Sequence, residues 1–217
     1  MEPRVVNGIR IRSMTLDDYK EVKELLGRTF YLDEPLCMIS GKNMQTHFEQ
    51  EQDAYHLSMV EQNTCVVAVD ESESNRIVGV VLAGAQVPSD LENHRLMADK
   101  YGKFYKFMSE IETEVNIFKR HGVSRVLYSH ITAVERSMRG RGLGTRLTTA
   151  AMEVGRTMGF PLFVAYCTSF YSARQKQALG MQCIHAVAYA DYKNERGEVV
   201  FEPPAPHTHV RYMMGIL

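Results

Sequence analysis

An apolar segment, Val126 to Val134, runs into Arg139-Gly140-Arg141-Gly142-Leu143-Gly144 and then into a helical pattern. This order of strand, glycine loop and helix constrains the fold more than any other stretch of the chain. The first N–H groups of a helix lack internal partners, and the positive end of its dipole lies beside them, so such a junction is a ready anion cradle. Glycines permit positive φ and close approach of the backbone to an anion. Arg139 and Arg141 add two permanent cations. The loop is not a P-loop, because no Gly-Lys-Ser/Thr follows the glycines. A dinucleotide fold expects an acid about 20 residues further on, whereas that region reads Pro161-Leu162-Phe163-Val164-Ala165. A tight turn carrying two solvated arginines is the plainer alternative.

The remaining chain narrows the class. A length of 217 residues favours one domain, 1–217, with a substantial core. The net charge of −1 argues against nucleic acid, which usually selects a basic excess. No apolar run has the length to span a membrane. Met1-Glu2-Pro3-Arg4 leads straight into a strand pattern without the form of a signal peptide, so a cytoplasmic protein is expected. Cys37, Cys65, Cys167 and Cys183 are scattered, which fits free thiols in a reducing compartment. His207-Thr208-His209 is the nearest approach to a metal motif; a strand would put both histidines on one face, but no third ligand follows, and no metal is expected.

Periodicity predicts a single α/β domain. Ile9 to Arg12 reads as a strand, and Thr15 caps a helix whose buried face is Val22, Leu25, Leu26 and Phe30. Tyr31 to Leu36 reads as a loop, because proline pushes its predecessor out of helical geometry. A polar helix is expected over Asn43 to Glu61, then a hairpin of Thr64 to Val69 and Arg76 to Ala85. Leu91 to Arg120 is helical, with Leu96, Met97, Tyr101, Phe104, Phe107, Met108, Ile111, Val115 and Phe118 assigned to the core. Val123 to Val134 and Pro161 to Cys167 read as parallel strands buried on both faces. The helix between them packs Leu143, Leu147, Ala150, Ala151, Val154 and Met158 on the sheet. A further helix runs from Tyr171 to Leu179. Strands follow over Gln182 to Tyr192 and His207 to Ile216, joined by a proline-rich loop.

The pattern Arg-x-x-Gly-x-Gly at 139–144 resembles the pyrophosphate loop of the GNAT superfamily of N-acetyltransferases. That resemblance implies a central, mostly antiparallel mixed sheet of about seven strands, with a splayed parallel central pair and flanking helices. It also implies acetyl-CoA as cosubstrate. Ile131, Thr132, Ala133 and Val134 would pair with the pantetheine arm, and Arg139, Gly140, Arg141, Gly142, Leu143, Gly144 and Thr145 would hold the pyrophosphate. Many members carry a tyrosine acid four residues before the glycine that closes the next helix; here that position is Lys176.

A narrower resemblance, to the insect arylalkylamine N-acetyltransferases, spans residue 30 almost to the C-terminus. It is carried by Tyr31-Leu32-Asp33-Glu34-Pro35-Leu36, by Cys167-Thr168-Ser169-Phe170-Tyr171-Ser172-Ala173-Arg174 and by Ala190-Asp191-Tyr192-Lys193. Gly197-Glu198-Val199-Val200-Phe201 and Pro204-Ala205-Pro206-His207 complete it. The resemblance implies Glu34 as general base and Ser172, beside the thioester, as proton donor to the thiolate. It implies Thr168 in place of the first serine of a pair, and His207 at the edge of the amine pocket. Asp33 and Pro35 fall in the same substrate motif.

Acetyl transfer has requirements of its own. An alkylammonium with a pKa of about 10 must lose its proton before it attacks, and a positioned base contributes about 10²–10⁴-fold. Each residue also has a plainer role: Glu34 as a solvated loop acid, Ser172 as a helix cap, His207 as pocket wall. Cys167 suggests an acetyl-cysteine route, although a thiol ending a buried strand is commonly inert. The expected partner is a small primary amine of the dopamine, serotonin or tryptamine class, taken up by a monomer or weak homodimer. Alternatives are agmatine or polyamine acetylation, protein-lysine acetylation, and a CoA-binding regulator without turnover.

Overall fold

The computed structural model describes residues 5–40 and 49–217, without the side chains of Ser40, Met97, Asp99 and Tyr101. The chain opens with β1 (Val5–Val6) and β2 (Ile9–Ser13), joined by Asn7-Gly8, both at positive φ as a tight hairpin requires. Three helices follow, α1 (Tyr19–Arg28), α2 (Phe30–Asp33) and α3 (Pro35–Ser40), then α4 (Glu49–Glu61). β3 (Val66–Asp70) and β4 (Arg76–Gln86) form a hairpin. The helices α5 (Pro88–Tyr101), α6 (Lys103–Val115) and α7 (Ile117–His121) lead to β5 (Val126–Val134). The second half comprises α8 (Leu143–Thr157), β6 (Leu162–Cys167), α9 (Phe170–Ala178), β7 (Gln182–Ala188) and β8 (His209–Ile216).

The described residues build a mixed sheet of eight strands, in the order β1-β2-β3-β4-β5-β6-β8-β7. The short β1 is the strand beyond the expected seven. Every neighbouring pair is antiparallel except β5–β6, which is joined only through Leu127–Phe163 and Tyr128–Val164. Beyond those two pairs the strands part, so one backbone edge of β5 from Ser129 to Val134 has no strand partner, while its other edge stays paired with β4. A register shift between Leu82 and Ala83 leaves His130 as an extra residue in β5, the kind of bulge that re-aims side chains.

Two apolar layers hold the sheet. On one face, Leu143, Leu147, Ala150 and Ala151 of α8 pack on Ala68, Val81, Leu127 and Phe163. On the other, Val22, Leu25 and Leu26 of α1 and Met59 and Val60 of α4 cover Val67, Val80, Leu82 and Ile131. Each buried Val, Leu, Ile, Met or Phe side chain among these contributes about 1.5–3 kcal/mol relative to exposure.

Several boundaries differ from expectation. Tyr31 to Leu36 is not a loop: it is α2 and α3, broken only at Glu34, whose ψ of 126° is extended. The proline restricts the residue before it and then serves as the first residue of α3, where its missing N–H costs nothing. Residues 43–48 of the expected polar helix lie outside the described residues. The long helix splits at Gly102 and Asn116, both at positive φ. Leu96 is exposed instead of core, whereas Phe107, Ile111, Val115 and Phe118 are buried; Met97 and Tyr101 have no described side chains. β5 is not buried on both faces, because Tyr128, His130, Thr132 and Val134 are half-open to a cavity. β8 begins at His209, so His207 lies outside the strand and does not share a strand face with it.

Candidate active site

The glycine loop forms the junction of β5 and α8. Gly140 and Gly142 have φ of 74° and 75°, a region that side chains strain, and Gly142 caps the helix. The first helical bond is donated by Arg146 N–H to Gly142 O at 3.0 Å, so Leu143, Gly144 and Thr145 keep N–H groups that no helical carbonyl takes. Glycine at 144 is not required by its own backbone or neighbours. Its φ is ordinary, and an added Cβ would meet only Val134 Cγ2 at 3.8 Å.

Arg139 bends back over this junction, donating from Nε to Val134 O at 3.1 Å and pairing with Asp33 at 2.7 Å. Arg136 grips both Asp33 oxygens, Oδ1 from Nη2 at 2.5 Å and Oδ2 from Nε at 3.0 Å. The Arg136 hydrogen bond, reinforced by Arg139, holds the Asp33 carboxyl below the usual carboxylate range. Asp33 therefore clamps α2 to the loop, and two guanidinium groups neutralise its charge. Arg141 is exposed and stands outside the cavity lining.

Beside the open edge of β5 lies the start of α9. Ser169, not Ser172, caps this helix: its Oγ accepts from Ser172 N–H at 3.1 Å. Ser172 Oγ in turn donates to Ser169 O at 2.9 Å and also meets the Cys167 thiol. One turn further along, Lys176 is 3% exposed and donates to Thr132 Oγ1 at 3.3 Å and to Thr148 Oγ1 at 3.0 Å. Burial pulls its ammonium down to about 8. Burial also raises the Cys167 thiol, so that residue is not a ready thiolate.

Glu34 sits across the cavity at the helix break. Its Oε2 accepts the Cys37 N–H at 2.5 Å, tying one oxygen to the start of α3. The other, Oε1, is buried without a hydrogen-bond partner, in a residue only 9% exposed. A buried oxygen of this kind is costly unless something else supplies the donor. His207 accepts the Phe170 N–H at Nδ1, 3.1 Å away, so its ring proton resides on Nε2. Burial lowers its pKa, with Glu34 acting in the opposite direction. The neutral ring offers a donor to the pocket and no free lone pair. Tyr189 Oη donates to the Thr168 carbonyl at 2.7 Å, fixing the turn between β6 and α9.

One cavity of about 1100 Å³ joins these groups. Every residue expected from the sequence to act on substrate or cosubstrate borders it except Arg141. The far wall was missed. It holds Tyr55, Phe104, Tyr105, Tyr128, Tyr166 and His130, with a buried carboxylate, Glu112, among them. Glu112 accepts from Gln86 Nε2 at 2.7 Å and lies 2.7 Å from His94 Nδ1, a hydrogen bond that raises the His94 pKa. Tyr166 Oη is buried without a partner. Burial pushes His130 down to about 3, so it is a neutral wall. One signal pointed here: Glu112 falls on the stripe of Phe104, Met108, Ile111 and Val115, where a helix buried for packing alone would carry an apolar residue.

No group of three or more His, Cys, Asp or Glu able to hold a metal exists among the described residues, and no described helix is long and apolar enough to cross a membrane.

The fold has close counterparts. A mosquito arylalkylamine N-acetyltransferase-like 5b structure is 32% identical over 96% of this chain and all of its own, with a TM-score of 0.84. An agmatine N-acetyltransferase is 32% identical, covering 97% of this chain and all of its own, with a TM-score of 0.83. A Drosophila melanogaster polyamine N-acetyltransferase, which forms N-acetylagmatine, is 31% identical over 96% of this chain and all of its own, at 0.82. The acetyltransferase (GNAT) family model matches residues 20–179, from α1 to the end of α9. With the splayed strand pair, the glycine loop and the family model coinciding over most of its length, the chain belongs to the GNAT acetyltransferases, a family that uses acetyl-CoA.

Proposed function

We propose that this protein transfers an acetyl group from acetyl-CoA to the primary amine of a small arylalkylamine by direct attack, with Glu34 as general base. The observation that carries the reading is Glu34 Oε1: a buried acceptor without a donor, bordering the cavity that also reaches the glycine loop. An incoming ammonium or amine N–H would supply that donor, which is the position a base must hold.

The donor side fits CoA. The unshared N–H groups of Leu143, Gly144 and Thr145, with Gly140, Gly142 and the cation of Arg139, suit a pyrophosphate, and Arg141 adds an exposed cation outside the lining. The open edge at Ile131 to Val134 suits an extended amide-bearing arm. When bound, acetyl-CoA supplies the acyl group already activated as a thioester. Glu34 then removes the proton, Pro35 holds the bend that aims it, and His207 contributes an Nε2–H donor at the edge. Ser172 and Thr168 frame the reacting centre from the β6–α9 turn. The raised Cys167 thiol favours direct attack over an acetyl-cysteine. The proposed setting is a single-domain cytoplasmic enzyme, a monomer or weak homodimer, in keeping with four free cysteines.

The aromatic far wall favours a ring-bearing acceptor. Glu112 supports a second reading, agmatine or a polyamine, because a buried carboxylate surrounded by aromatic faces also suits a distal cation. A turnover panel of dopamine, tryptamine, histamine, agmatine and spermine with acetyl-CoA tests both. Preference for dopamine or tryptamine supports the first, preference for the polycations replaces it with the second, and turnover of none removes both.

A further inference from the structure

Lys176 has no role in the scheme above, yet its position is costly. Its ammonium is buried between β5, α8 and α9, and no carboxylate among the described residues contributes to its field. Its acceptors are two neutral hydroxyls, Thr132 Oγ1 and Thr148 Oγ1. An ammonium has three donors, so this inventory leaves one over. Buried charges are normally paired or neutralised, so an anionic group entering the cavity would offset the cost of this one. The side chain borders the cavity, and Thr132 lies on the open edge of β5, between the loop end at Val134 and the aromatic wall that starts at Tyr128. Ser172, on the same face of α9 one turn earlier, shares its hydroxyl between Ser169 O and the Cys167 thiol.

We propose that Lys176 is a catalytic residue that receives the departing sulfur of CoA, holding the thiolate and protonating it. The inference rests on the acetyl-CoA reading above. The amine nitrogen forms its bond to the acetyl carbon as the carbon–sulfur bond breaks, leaving the electron pair on sulfur. The amine's surplus proton passes to Glu34. One Lys176 proton moves to sulfur, giving a thiol and a neutral lysine, and solvent restores both side chains to their starting charges. The titratable groups facing Lys176 are few. Cys167 on β6 is the neighbour that acts on it directly, and Arg211 on β8 and Cys183 on β7 act on that thiol in turn, while β5 and α8 present the uncharged Thr132 and Thr148. A lowered ammonium pKa of about 8 suits such a donor near neutral pH.

The test compares CoA with desulfo-CoA, which lacks only the sulfur, in the wild type, Lys176→Gln and Lys176→Met. Glutamine keeps a donor for the threonines without the charge, and methionine fills the volume. The wild type is expected to bind CoA about tenfold more tightly than desulfo-CoA, with the bound thiol titrating about 1–3 units below the free thiol by its ultraviolet absorbance. Both variants should lose the preference and the shift while binding desulfo-CoA as the wild type does. A wild type that binds the two equally overturns the proposal. So does an equal loss for both ligands in the variants, which would make Lys176 a phosphate or packing residue. Failure of the wild type to bind either ligand overturns the CoA reading itself, a result distinct from the others.

Discussion

The two ends of the cavity are built in different ways. The donor end is made of backbone: the open edge of β5, the positive-φ glycines and the first turn of α8, contiguous from Ile131 to Thr145. The acceptor end is made of side chains brought together from α3, α4, α5, α6, β5, β6 and the loop before β8. A backbone site serves a ligand shared by many enzymes, since N–H groups recognise phosphate whatever the side chains. A side-chain site can change one residue at a time, which is how a shared scaffold acquires different amines. Mutations at the two ends should therefore separate into effects on acetyl-CoA and effects on the amine.

The largest effect is expected at Glu34. Glutamine retains an oxygen to cap Cys37 N–H, so the helix break should persist while the base is lost. Glu34→Gln should lower kcat by about 10²–10⁴-fold. The KM for acetyl-CoA should stay near wild type. A variant with wild-type kcat would assign the base elsewhere, and a parallel rise in acetyl-CoA KM would break the separation between the two ends.

Glu112 tests the far wall. Glu112→Gln keeps a hydrogen-bonding group beside Gln86 and His94 but removes the charge. Loss of a charged hydrogen bond corresponds to about 1.5–3 kcal/mol, so kcat/KM should fall roughly 10–100-fold for an acceptor that touches it. An equal fall for tryptamine and agmatine would make Glu112 a structural tie to His94 and Gln86. A fall confined to agmatine and spermine would favour the polycation reading.

The same division governs what could be read from the sequence. The glycine loop was legible because its ligand groups are consecutive and two of its glycines, Gly140 and Gly142, are demanded by φ. Glu34 was legible only through its motif. Nothing local distinguishes it from a solvated acid, and its buried Oε1 results from a break before Pro35 between two short helices, which residue pattern alone does not separate from a loop. Asp33 shows the reverse: an acid next to the base, drawn away by Arg136 and Arg139 from an element distant in sequence. Tyr166 and His130 resembled core because strand periodicity cannot tell a packed face from one that opens into a cavity. In the sequence Lys176 stands out only as a departure from the tyrosine pattern; its burial depends on β5 and β6 parting, which is a tertiary fact.

At the donor end, two glycines flanking Leu143 give a graded test. Alanine at 142 must adopt a left-handed conformation that costs about 1–2 kcal/mol, and the helix cap it distorts is the proposed phosphate cradle. Gly142→Ala should raise the KM for acetyl-CoA about tenfold and leave the amine KM unchanged. Gly144→Ala has ordinary φ and room for its Cβ, so it should act like the wild type. Equal damage from both would indicate crowding by the cosubstrate instead of backbone strain, and would shift the argument from conformation to clearance.

The smallest effect is one on stability, and its sign separates charge from packing at Lys176. The folded protein releases this proton at about 8, whereas an unfolded chain keeps it to about 10.4. Between those values the unfolded state binds more protons, so wild-type stability rises with pH across that window. Below it both states are protonated, and the cost of burying the charge is present in full. Lys176→Met removes the charge but leaves the Thr132 and Thr148 hydroxyls without their donor. If the charge dominates, the variant is more stable than wild type by about 1–2 kcal/mol near pH 7. That advantage shrinks as the pH rises from about 8 toward about 10. Urea unfolding at the two ends of the window measures it. A variant less stable at both, by the same amount, would mean that the threonine hydrogen bonds outweigh the buried charge, and that the lysine is retained for structure.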